Sequence, residues 1–61
     1  MNEFLVGDRV RHEHTGETGL VTRVEGTYSP IHQEWAYLVW VDGDDGREWI
    51  ANGCALVRED A

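Results

Sequence analysis

Residues 34–50, EWAYLVWVDGDDGREWI, carry the strongest local pattern in the chain. An apolar and aromatic run leads into Asp42-Gly43-Asp44-Asp45-Gly46, and a second aromatic run returns through Trp49 and Ile50. Turn chemistry between two β-rich runs predicts a hairpin. Upstream, Val10 reads as a core position in a first strand that Gly7-Asp8 introduces as a turn, since Asp hydrogen-bonds readily to nearby backbone. A polar loop over residues 13–17 precedes a second strand, residues 20–25, which ends at Gly26. Val21 and Val24 both suit a core but stand three apart, so one face can hold both only if the strand carries a bulge or a sharp bend. Residues 27–33, with Pro30, read as a longer loop, because Pro disfavours a paired central strand. Turn-like residues 51–54 then lead to a short last strand over residues 55–57 and a charged tail, Arg58-Glu59-Asp60. No stretch of ten or more residues shows helical periodicity. The expectation is an all-β chain of five short strands, with one tight helical turn before the last.

With 61 residues the chain has room for one small domain, 1–61, with an ordered core over about 4–58. Such a domain buries about 60% of its unfolded surface and is marginally stable. Cys54 is alone, so no internal disulfide forms. Met1-Asn2-Glu3-Phe4 lacks the basic and apolar regions of a signal peptide, and no apolar run is long enough for a membrane span, so a cytoplasmic setting is expected. Twelve acidic against five basic residues give a net charge of −7, which repels polyanions at long range and makes nucleic acid an unfavoured partner. All five basic residues are Arg.

Gly7-Asp8-x-Val10, Gly16-x-x-Gly19-x-Val21-x-x-Val24, Tyr37-x-Val39-x-Val41-Asp42-Gly43, Trp49-Ile50 and Leu56 together resemble small SH3-like barrels of the KOW and Tudor-like kind. The resemblance spans nearly the whole chain. It implies a five-stranded, strongly bent antiparallel barrel that binds a nucleic acid, a peptide or a protein and performs no chemistry. This chain departs from it in being acidic, where nucleic-acid-binding KOW modules are usually basic. The family pattern turns Tyr37, Val39 and Val41 inward. Alternation along a strand then turns Ala36, Leu38 and Trp40 outward.

The register of the hairpin decides where Trp49 goes. A two-residue turn at Asp45-Gly46 sets Val41 opposite Ile50 and Trp40 diagonal to Trp49, and a four-residue loop sets Trp49 opposite Leu38; both expose Trp49 beside an apolar neighbour. A three-residue loop instead turns Trp49 into the core. Adopting the exposed register, the candidate protein-binding residues are Leu38, Trp40 and Trp49, with Tyr28 from the neighbouring loop. Two alternatives are that Phe4-Leu5 or the Tyr28 loop folds over this surface, and that it pairs with a second copy.

Other constellations are thinner. His12, His14, His32 and Cys54 offer metal-ligating types, but their spacing matches no standard zinc site, and solvated histidines are the expectation. The three acids at residues 42–45 lack the ligand order of a calcium loop. Cys54 with a histidine supplies no third group or oxyanion site, so no catalysis is expected. Arg9, Arg11 and Arg23 form a candidate anion-binding patch. The reading is therefore a non-enzymatic protein-interaction module, needing no cofactor and binding another protein or itself as a homodimer. The alternatives are a KOW-like nucleic-acid-associated module using that Arg patch, or an acidic mimic of nucleic acid.

Overall fold

The computed structural model describes residues 4–59; residues 1–3, Asp60 of the charged tail and Ala61 lie outside the described residues. The strands are β1 (Arg9–His12), β2 (Thr18–Ser29), β3 (Glu34–Gly43), β4 (Glu48–Asn52) and β5 (Leu56–Arg58), with a single 3₁₀ turn at Gly53–Ala55 ahead of β5. They form one antiparallel sheet in the order β4-β3-β2-β1-β5. The all-β expectation and the helical turn before the last strand are both met. The sheet is open, with β4 and β5 at its two edges, so strand pairing does not supply the closure that a barrel requires.

Entry to β1 is the turn expected at Gly7-Asp8. Gly7 has φ +97°, the Asp8 N–H donates to the Leu5 carbonyl at 3.0 Å, and the Leu5 N–H donates to the Asp8 carboxylate at 2.9 Å. In β2, the pairing passes from Val21 opposite Val41 to Arg23 opposite Trp40, leaving Thr22 as a bulge. That extra residue resets the alternation, so Val21 and Val24 both face inward, the latter opposite Val39.

The buried core consists of Phe4, Val10, Val21, Val39, Val41 and Leu56, with Val24, Trp49 and Ala51 packed against it. Phe4 thus joins the inner core and does not cover the outer face of the hairpin. Four of the six buried side chains are valines with almost no exposed surface. Burying each contributes roughly 1.5–3 kcal/mol.

Two expectations are corrected. First, residues 27–29 belong to β2, and only residues 30–33 form the connection to β3. Tyr28 pairs with Trp35, Thr27 with Ala36 and Ser29 with Glu34, and such aromatic and β-branched cross-strand pairs extend the ladder past the point where turn composition suggested it ends. Pro30 sits just beyond the last pair, where its missing N–H costs nothing. Second, the β3–β4 hairpin has the three-residue loop, Asp44-Asp45-Gly46. The Gly43 N–H donates to Arg47 and the Gly46 N–H to Gly43, each at 2.9 Å, and Gly46 has φ +89°. This is a type I turn closed by a left-handed glycine. Val41 therefore lies opposite Trp49 and Val39 opposite Ala51, and Trp49 faces the core, not the outer surface.

Candidate functional site

Alternation sorts the hairpin side chains into two faces. Leu38 and Trp40 do point away from the core, and cross-strand pairing sets Ile50 beside Trp40. Trp40 is half-buried, with the Arg23 guanidinium 4.7 Å above its ring, and Leu38 is only just exposed. Trp49 is on the opposite face at the turn end of the sheet, where its ring meets His12 edge-on at 6.0 Å. Tyr28 lies at the other end. The four residues proposed from sequence are thus not one surface.

The inner face of β3 continues beyond the core. Val41 and Val39 are buried, and next in phase come Tyr37 and Trp35, but β4 ends at Asn52, opposite Leu38. From there to the tip, β2 and β3 form a two-stranded arm. Gly26 lies opposite Tyr37, and a side chain at Gly26 would begin 3.2 Å from that ring, so the aromatic ring rests on bare backbone. Tyr28 and Trp35 meet edge-to-face at 5.5 Å, with 48% and 62% of their surfaces exposed, and Ile31 at the tip is 87% exposed. Between the arm and the 3₁₀ turn lies a cleft of about 410 Å³ lined by Glu34, Trp35, Ala36, Tyr37, Asn52, Gly53 and Cys54.

Trp35, Tyr37 and Ile31 were not among the residues proposed from sequence. The signal was present for Trp35, which has the same parity as Tyr37, Val39 and Val41. It was hidden because residues 27–33 read as loop, which left Trp35 no partner strand.

The arginines are all engaged. Arg9 meets Asp44 at 2.6 Å, Arg11 meets Glu59 at 3.9 Å, and Arg23 meets Glu25 at 3.0 Å, while Arg47 and Arg58 meet Asp45 and Asp8 at 3.0 and 3.2 Å. The Arg9, Arg11 and Arg23 patch therefore faces its own carboxylates before any anion arrives. His12 also has a local role: its Nδ1 accepts the backbone N–H groups of His14 and Thr15, at 3.1 and 3.4 Å, and so orders the β1–β2 loop. The His14 ring lies 5.8 Å from that of His12, whereas His32 is in the connection at the arm tip and Cys54 is exposed on the 3₁₀ turn. Among the described residues no three His, Cys, Asp or Glu side chains converge as a metal site.

The ion pairs predict an acid response. The Asp44 carboxyl is held below its ordinary value of 3.8 by the Arg9 hydrogen bond and then by that of Thr18. Asp8 is lowered by the Leu5 N–H and then by Arg58, and Asp45 by the Arg47 N–H and then its guanidinium. Each folded pKa lies below the unfolded one, so the stabilisation is complete above the unfolded value and is lost as pH falls through the folded one. The urea midpoint is expected to fall steadily below pH about 4, and Asp44→Asn is expected to shallow that fall. An unchanged profile in the variant would contradict the assignment to Asp44.

Comparison with protein-family models, curated proteins and solved structures finds no match to this chain. Its class is set by its own geometry: a small, open, five-stranded antiparallel domain with a projecting aromatic arm. Among the described residues no helix is long and apolar enough to cross a membrane.

Proposed function

We propose that the domain is a non-catalytic protein-interaction module of the SH3-like kind, which takes its partner on the inner aromatic face of the β2–β3 arm. The strand order, the bulged β2 and the 3₁₀ turn before β5 support the SH3-like reading, and the KOW and Tudor-like motif pattern is consistent with it. The observation that carries the functional reading is the exposed pair Tyr28 and Trp35 where the core face runs out uncovered. Large aromatics with few charges nearby are the composition that interface cores favour. The exposed thiol of Cys54 suits the reducing cytoplasm. The alternative of nucleic-acid binding through Arg9, Arg11 and Arg23 is disfavoured by the net charge of −7 and by the carboxylate already on each of those arginines.

The test is capture from a native cell extract by the immobilised full chain, identified by mass spectrometry. Wild type and Trp40→Ala are expected to retain the same protein, and Trp35→Ala to lose it with an unchanged circular dichroism spectrum. Capture that Trp35→Ala leaves intact would refute the arm as the site. Salt-sensitive retention on duplex DNA or RNA that Arg9→Ala and Arg11→Ala remove would replace this reading with the nucleic-acid one.

A further inference from the structure

The arm is distinct from the rest of the chain in charge as well as shape. Residues 26–37 contain three of the six aromatic residues but only one formally charged residue, Glu34, in a chain that is 28% charged. Six of the twelve acids lie at the other end. Glu13 and Glu17 lie in the β1–β2 loop, and Asp42, Asp44, Asp45 and Glu48 in and around the β3–β4 turn. The two loops are joined there, with the Asp44 N–H donating to the Thr18 carbonyl at 3.0 Å and the Thr18 hydroxyl to the Asp44 carboxylate. The ten residues of β3 separate the two ends, which at about 3.3 Å per residue is roughly 30 Å. The longest dimension of the described residues is 36 Å.

We infer that the arm's partner is a second copy of this chain, the aromatic faces of two arms packing across a two-fold axis with the acidic ends directed apart. This rests on the interaction reading above and adds the identity of the partner. Three physical points favour it. A two-stranded ribbon is marginal in water unless something packs on its face, and the Tyr28, Trp35 and Tyr37 face extends past the end of β4. Two chains of like charge approach most readily through surfaces that carry the least of it, here the single Glu34, and at physiological salt, fields decay over about 8 Å, far less than the length of β3. A basic partner, by contrast, is drawn to the acidic end and gains little on the arm, which carries only Glu34. The exposed parts of Tyr28, Trp35 and Ile31 offer on the order of 400 Å² per copy, which is below the range of stable interfaces and in that of weak, transient ones. The dimer is therefore weak and dissociates on dilution.

The test is sedimentation equilibrium on the purified full chain from about 10 μM to about 1 mM, a range that brackets weak association. The average mass is expected to rise from one chain to two with concentration. Raising salt from about 0.05 to 0.5 M is expected to leave the association unchanged or tighter, because it screens repulsion between the acidic ends. Trp35→Ala is expected to raise the dissociation constant at least tenfold. Ile31→Glu, at an exposed tip position with little part in folding, is expected to do the same and guards against loss of fold in the first variant. Amide exchange over residues 26–29 and 34–37 is expected to slow with concentration while that of residues 13–17 does not. A single chain at every concentration overturns the inference, as does a dimer that survives both variants or one that salt dissociates. If the purified chain is monomeric while Trp35-dependent capture of another protein persists, the second copy is refuted and the interaction reading stands.

Discussion

Gly19→Ala is expected to destabilise the domain by about 3 kcal/mol, close to the whole stability of a domain this small. Gly19 pairs with Gly43 in the β2–β3 ladder, and it is buried. A Cβ placed there collides with the Asp42 carbonyl oxygen and falls 2.6 Å from Val41 Cγ1 and 2.9 Å from the Gly43 Cα. Two of those three neighbours are backbone in the middle of the sheet, so no rotamer change relieves the overlap. The register between β2 and β3 has to shift, and with it the bulge that brings Val24 inward. Gly46→Ala is the control. Its φ of +89° strains any side chain, but nothing lies within 4 Å, so the expected cost is about 1 kcal/mol. Urea unfolding of both variants separates the two causes; equal losses would show that contact at Gly19 is not what limits the substitution.

The second large effect is expected at the centre of the core. Val39 is fully buried between Val24 on β2 and Ala51 on β4. Val39→Ala removes two methyl groups from a site whose cross-strand neighbours are short and held in the ladder, so they cannot collapse into the space. A loss of about 2 kcal/mol is expected. For a domain of this size that lowers the melting temperature by roughly 8–16 °C. Leu38→Ala, one residue away on the opposite face, deletes more atoms from a side chain that is 39% exposed and is expected to cost less. If the Leu38 variant proved the more damaging, the outer face would be a second core, and the division into faces would be wrong.

The outer placement of Leu38 and Trp40 followed from alternation and family pattern, and the structure agrees, because a period of two survives any choice of loop. Trp49 did not follow. Its face depends on the number of residues in the turn, and Asp42-Gly43-Asp44-Asp45-Gly46 contains two glycines that fit more than one turn. The structure chooses the three-residue loop, in which Gly46 takes the left-handed position and Gly43, with no side chain, makes room for the Trp49 ring. The arm was illegible for a related reason. Gly26, Ser29 and Pro30 carry turn composition, yet Gly26 serves as the seat for Tyr37.

The amino-acid sequence by itself determined the class of fold, the turn at Gly7-Asp8, the bulge needed between Val21 and Val24, the inward phase of Val39 and Val41, and the net charge of −7. These are consequences of local chemistry and of alternation, which act over a few residues and read the same in any tertiary setting. Tertiary structure alone decided where β4 stops covering β3, which face receives Trp49, that Phe4 enters the inner core, and that each arginine meets a carboxylate. Those outcomes depend on register and on pairs as far apart as Asp8 with Arg58, where a one-residue shift exchanges the buried and exposed faces of a strand.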